Sequence, residues 1–201
     1  MKLGKAKLHY ALTGAKLFIR NNLTCIVVGL LCALAGVIIG IVVARSFGED
    51  YTKLNFIIAV NVGEYAYFKT LIIYLALTTA AYALLIACGL NRYLNLIAFA
   101  AIVYIGYRWG IGMVGTFNQG AIAGVISITL FYIPIFLTLA LGMIISLCII
   151  AFARCGSKGI FSSQHLFRST LTRILPIYLI NICVIFVCTV LIPICYRIIF
   201  T

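Results

Sequence analysis

Acidic residues are almost missing from this 201-residue chain, which has three Asp or Glu against fifteen Lys or Arg. Charged residues make up 9% of the sequence, far below the roughly 25% of a soluble globular domain. These charges are too few to coat a surface that faces water. Because 65% of the residues are hydrophobic and lie in long runs, we exclude a soluble enzyme, a disordered tail and a secreted disulfide scaffold. The sequence predicts an all-α integral membrane protein.

Groups that carry out chemistry inside membranes are also scarce. No predicted span contains Asp, Glu or His, which proton-coupled transporters use as relays and intramembrane proteases use for catalysis or metal binding. The only histidines, His9 and His165, are far apart in sequence. The eight cysteines form no Cys-x-x-Cys motif, and all but Cys155 lie in apolar runs, so we expect free thiols. The sequence therefore predicts no enzymatic activity, no metal and no cofactor.

The net charge of +12 is interpreted as a signal of orientation, because Lys and Arg collect on the cytoplasmic side of membrane proteins. One side of the predicted topology holds ten basic residues: Lys2, Lys5, Lys7, Lys16, Arg20, Arg92, Arg154, Lys158, Arg168 and Arg173. The other side holds four: Arg45, Lys53, Lys69 and Arg197. We therefore expect a multi-pass cell-membrane protein with a cytoplasmic N-terminus, an extracytoplasmic C-terminus and no nucleic-acid partner.

The first 22 residues differ from the rest of the chain in their basic pattern. Lys2, Lys5, Lys16 and Arg20 recur at helical spacing, which predicts an amphipathic helix lying on anionic lipid headgroups. A plain basic anchor is the alternative. The charges are spread too widely for a cleavable signal peptide. Residues 23–201 are predicted to form a single polytopic membrane domain.

Five membrane crossings are predicted, over residues 23–44, 71–90, 94–117, 134–152 and 174–196. The apolar run over 121–152 would measure about 48 Å as a straight helix, against about 30 Å of hydrocarbon. Because Pro134 interrupts it, we interpret residues 121–133 as a partial or re-entrant segment. A single tilted, kinked helix is the alternative. The basic stretch over 153–173 predicts an interfacial helix.

A stripe of small residues marks one face of the first span. Its members follow one another at steps of three or four: Gly29, Ala33, Gly36, Gly40 and Ala44. Such a face lets two helix backbones approach closely in lipid. Packing within the protein is favoured over packing against a partner.

The loop over 45–69 contains all three acidic residues, Glu49, Asp50 and Glu64. Three basic residues in the same loop balance them. This neutral outer loop is the predicted contact for an extracytoplasmic partner.

Two polar residues inside predicted spans are candidates for a specific role. Arg108 carries a charge in the third span, where it either extends toward the interface or faces a cavity, lipid phosphate or partner. Asn181, in the last span, is expected to hydrogen-bond across helices.

The order of several motifs resembles that of the stage II sporulation protein M family. These motifs are Arg20-Asn21-Asn22, the glycine-rich stretch over 36–40, Phe68-Lys69, the stretch from Arg108 to Phe117, and the segment from Ile133 to Gly142. The resemblance covers about residues 16–155. It implies a non-catalytic scaffold in envelope remodelling, which recruits peptidoglycan hydrolases of the cell wall during forespore engulfment. A homo-oligomer is compatible with this role.

The broken segments around 118–120 and Pro134 favour a second hypothesis, because interrupted helices often line transporter sites. In that case the chain would be a permease-like membrane subunit that works with a separate ATPase. A membrane enzyme that acts on lipid is disfavoured by the missing acid and base groups.

Overall fold

The computed structural model describes residues 13–14, 16–47, 63, 65–89, 95–117, 121–156 and 163–200. This described part of the chain is helical and contains no strand. Five of its helices are long and apolar enough to cross a membrane. The prediction of an all-α membrane protein with about five spans is confirmed.

The five helices follow one another along the chain and are numbered here in that order. The first three are α1 (Leu23–Phe47), α2 (Tyr67–Gly89) and α3 (Asn95–Phe117). Helix α4 occupies 121–156 and helix α5 occupies 163–200. Helix α5 therefore includes the end of the stretch that the sequence assigned to a separate interfacial helix.

Helices α4 and α5 each contain a five-residue π segment directly before an Ile-Pro-Ile sequence. The π segments are Ile128–Tyr132 and Val187–Leu191, and the prolines are Pro134 and Pro193. Proline has no N–H and crowds the carbonyl four residues before it. A π turn is wider than an α turn and relieves both effects. In it, the N–H of Ile133 bonds to the carbonyl of Ile128, which is five residues back in the chain instead of four.

The helix therefore continues through Pro134 from residue 121 to residue 156. Within that range the structure has the single kinked helix that the sequence left as an alternative. It does not have a separate re-entrant segment over 121–133.

Helices α1 and α3 make the closest contact in the described part of the chain, through glycines on both sides. A Cβ atom placed on Gly36 or Gly40 would overlap the backbone carbonyl of Val103 or Tyr107, respectively. On the α3 side, a Cβ placed on Gly106 would overlap the backbone carbonyl of Ala33 in α1. Residue numbers rise together along both helices, so α1 and α3 run in the same direction. Backbone contact of this kind is the usual basis of helix association in lipid.

All five residues of the small stripe on α1 are buried. Gly36 and Gly40 face α3, whereas a Cβ on Gly29 would lie 2.7 Å from the Ile144 side chain on α4. The stripe thus lies at contacts within the protein, against two different helices.

Helix α4 lies at the centre of the bundle and supplies more buried side chains than any other helix. Met143, Ile144 and Ile150 are essentially inaccessible. By contrast, the outer faces of the neighbouring helices expose large apolar residues such as Ile38 and Ile72. Such faces are suited to contact with lipid.

Candidate intramembrane cavity

A cavity of about 940 Å³ lies between α2, α3 and the N-terminal half of α4. Phe131, Tyr132 and Phe136 of α4 form its floor, and they are buried. Its α2 and α3 walls include Leu77 and Ile97, which are exposed at the protein surface. The cavity therefore opens sideways between α2 and α3, toward the position of the lipid.

Small residues on α2 and α3 leave the space that this cavity fills. Ala80 and Ala81 line it from α2, and Ala100 and Ala101 line it from α3. Helix α3 directs its glycine face toward α1 on its other side, so it does not close against α2. Gly112 also has a local role, since a Cβ there would come within 2.9 Å of the Tyr132 ring.

Arg108 lines the cavity from the α3 wall. Helix α3 is continuous through this residue, which lies nine positions before Phe117, or about 14 Å along the axis. On insertion scales, a charge at the centre of a membrane helix costs about 2.5–3.5 kcal/mol. Tyr74 and Tyr132 line the same cavity. Arg108 both lines the cavity and is exposed, so its position is compatible with both sequence interpretations.

No carboxylate lies near Arg108 among the residues that the structure describes. The chain has only Glu49, Asp50 and Glu64 as acids, and all three lie outside the described residues. Within the described residues, hydroxyl groups of tyrosine and threonine line the same cavity as this cation.

Trp109 also lines the cavity, and it is the only tryptophan in the chain. Its ring stacks on Phe136 with the centroids 4.4 Å apart. Its indole N–H is buried and has no hydrogen-bond partner among the described residues. This stacking holds the fluorescent ring of Trp109 in the wall of the cavity.

Tyr65 lines the cavity near the start of α2 and connects it to the π segment of α5. Its hydroxyl donates a hydrogen bond of 3.1 Å to the Thr189 carbonyl. In an α-helix, the Thr189 carbonyl would accept a hydrogen bond from the N–H of residue 193, but Pro193 has no N–H. Burial raises the pKa of the Tyr65 hydroxyl, so it remains a donor at neutral pH. The residues ahead of α2 are thereby joined to the last helix.

Replacing Tyr65 with phenylalanine is expected to lower the free energy of unfolding by about 1 kcal/mol, as a buried carbonyl loses its donor. Tyr67→Phe is the matched control, since no hydrogen bond of its hydroxyl to another described residue is seen. Unfolding in mixed detergent micelles measures both. In a Pro193→Ala background, residue 193 regains an N–H for the Thr189 carbonyl. Tyr65→Phe should then lower the free energy of unfolding by less than it does in the wild type. If the loss is equal in both backgrounds, the Tyr65 hydroxyl does not stabilise the protein through the Thr189 carbonyl.

A second polar cluster joins α2, α4 and α5 away from the cavity. Asn181 donates a 2.7 Å hydrogen bond to the Tyr82 hydroxyl and another of 3.1 Å to the Ile177 carbonyl. Gly142 makes room for it, because a Cβ there would meet both the Tyr82 hydroxyl and the Asn181 amide. Asn181 therefore bonds across helices, as its residue type indicates.

The other residues singled out from the sequence are only partly placed. Lys2, Lys5 and the three acids of the 45–69 loop lie outside the described residues. Lys16 and Arg20 are exposed on helical turns that lead into α1. Across the described ranges, no group of three or more His, Cys, Asp or Glu could hold a metal ion.

Sequence reasoning missed the aromatic residues of the cavity. Tyr74 and Tyr132 lie in apolar runs, where a tyrosine looks like any other membrane residue. Their relation to Arg108 depends on how three helices pack. A local signal was available only for the interface, where Tyr65, Tyr67 and Phe68 occur together.

Comparison with known proteins adds no relative: no family model matches the chain, and no curated protein or solved structure does.

Proposed function

We propose that this protein is a non-catalytic membrane protein that binds an amphiphile of the bilayer in the cavity between α2 and α3. The single observation that carries the proposal is the cavity itself. It has the size of a ligand site, for which about 300–1,000 Å³ is typical, and it opens between exposed apolar side chains. A lipid chain can enter such an opening without crossing a polar barrier.

Quenching of Trp109 by brominated lipid tests this function. The chain is reconstituted into vesicles with a fraction of dibrominated phospholipid, and the tryptophan fluorescence is recorded. Ala101→Phe fills the cavity from the α3 wall and is expected to reduce the quenching by about half or more, because lipid is displaced from the ring. Ala81→Phe fills it from the opposite wall and repeats the test.

The matched control is Ala76→Phe, which adds the same side chain at an exposed position of α2 outside the cavity. It should leave the quenching unchanged. If all three variants are quenched like the wild type, lipid reaches Trp109 only from outside, and the proposed function is wrong.

The orientation that we propose has the N-terminus in the cytoplasm and the C-terminus outside. The ten-to-four distribution of Lys and Arg supports it. The same-direction packing of α1 and α3 supports an opposite crossing by α2. A C-terminal alkaline phosphatase fusion would be active in this orientation and inactive in the reverse one.

A transporter subunit is the second candidate function. It is supported by the two π segments, because Phe131 and Tyr132 of the first line the cavity and the second bonds to Tyr65. Such irregular helices occur at functional sites and in transporters. Solute uptake into vesicles that depends on a separate ATPase would favour this function.

The scaffold role in envelope remodelling rests on the sequence resemblance and remains a proposal beside the binding role. A protein that holds a lipid can also recruit wall hydrolases. Co-purification of such hydrolases with the full chain, and its loss when the 45–69 loop is replaced, would support it.

A further inference from the structure

We propose that the cavity selects lipids with a net negative phosphate headgroup, and that Arg108 binds this headgroup. The inference rests on the proposed function, because it names the ligand of the same cavity. Its lipid source is the bilayer around the protein, and the headgroup chemistry is that of an anionic phospholipid.

The first argument is charge balance. Arg108 lines the cavity from the middle of α3, and its side chain is exposed. A cation held in a place of low dielectric favours a ligand that brings the opposite charge. A zwitterionic headgroup would bring a second cation into the same space. A net anion is therefore the better occupant.

The second argument is the geometry of the donors. The guanidinium group of arginine presents its N–H groups as a planar fork that matches the oxygens of a phosphate. Tyr74 and Tyr132 line the same cavity as Arg108, and their hydroxyl groups can donate to the remaining oxygens. Trp109 neighbours this group in sequence and lines the same cavity.

The third argument is that the cavity is itself amphipathic. Its lining toward the start of α2 includes Thr70 and Tyr74, and Arg108 of α3 lines the same cavity. Its other end is lined by Leu84 of α2 and Ile97 of α3, which are ten and eleven residues away from Tyr74 and Arg108. That separation corresponds to about 15 Å along either helix.

A length of about 15 Å is half of the hydrocarbon thickness of a bilayer, which is about 30 Å. The cavity is therefore long enough for part of one lipid chain, which lies beside Leu84 and Ile97 when the headgroup is at Arg108. The opening between α2 and α3 lets the chain enter from the side.

The experiment compares two brominated lipids, phosphatidylglycerol and phosphatidylcholine, at equal mole fractions in vesicles that contain the full chain. The readout is the quenching of Trp109, converted to a relative binding constant. The wild type is expected to prefer the anionic lipid about tenfold, because hydrogen bonds between a guanidinium and a phosphate are charge-assisted. Arg108→Gln should reduce the preference to nearly one, and Arg108→Lys should retain part of it.

The matched control is Lys69→Gln. It removes one positive charge from α2 at an exposed position that does not line the cavity. Its preference should equal that of the wild type. Each variant is first checked for a monodisperse peak in detergent, so that a folding defect is separated from a loss of selectivity.

Three results would overturn the inference: a wild type without preference, a wild type that prefers phosphatidylcholine, or an Arg108→Gln variant that remains selective. These results differ from failure of the proposed function. If quenching responds to Ala101→Phe but not to headgroup charge, the cavity binds lipid and Arg108 does not select it.

Discussion

Gly36→Ala is expected to destabilise the protein by about 1–3 kcal/mol, the cost of forcing extra atoms into a packed contact. The new Cβ would overlap the carbonyl oxygen of Val103. Both atoms belong to backbone segments of long helices, so neither can move without separating α1 from α3. The expected result is a lower midpoint in a detergent unfolding titration, with part of the protein failing to assemble.

Gly14→Ala is the matched control for this change. Gly14 is helical, and a Cβ there would meet nothing within 4 Å. Alanine favours a helix over glycine by about 1 kcal/mol, so this variant should be as stable as the wild type or slightly more stable. Equal stability of Gly36→Ala and Gly14→Ala would contradict the close packing of α1 and α3.

Tyr82→Ala has a larger expected effect, a loss of about 3–5 kcal/mol in the free energy of unfolding, as for other large aromatic side chains in a core. Tyr82 is 3% exposed and lies where α2, α4 and α5 meet. Its ring packs edge-on against Tyr178 at 5.3 Å between centroids. Removing it leaves a void and deprives the Asn181 amide of one of its two acceptors.

Tyr82→Phe separates these two contributions, because it removes the hydroxyl and keeps the ring. The loss in the free energy of unfolding should fall to about 0.6 kcal/mol, which is the mean contribution of an interhelical hydrogen bond measured in a membrane protein. Phe68→Ala is the control, since it removes an aromatic ring from the same helix at a position that is 79% exposed. If Tyr82→Phe is as damaging as Tyr82→Ala, the hydroxyl rather than the ring holds the three helices together.

The helices were predictable from the sequence because a membrane span is a local property. An apolar run with interfacial residues at its ends defines a helix without reference to its neighbours. The small stripe on α1 was predictable for the same reason, since its steps of three and four fix one helix face. Asn181 was identified by its polarity alone.

The cavity and its contacts were not predictable in this way. Whether Arg108 faces lipid, protein or an empty space depends on the rotation of α3, and glycines on its other side determine that rotation. Pro134 was expected to interrupt a helix, but the helix continues because the π segment before it accommodates a residue that has no N–H. The sequence did not indicate the role of Tyr82, because its hydrogen-bond partner Asn181 is 99 residues away.

The pairing of α1 with α3 has a consequence for the biosynthesis of the protein. Membrane helices enter the bilayer in chain order as the ribosome extends the chain. The closest contact of α1 is with the third helix, so α2 must be inserted in the opposite direction before that contact can form. Until residue 117 has been synthesised, the glycine face of α1 lacks its main partner and is open to lipid or to other proteins of the insertion machinery. The nascent chain should therefore be most sensitive to changes at Gly36 and Gly40 during this interval.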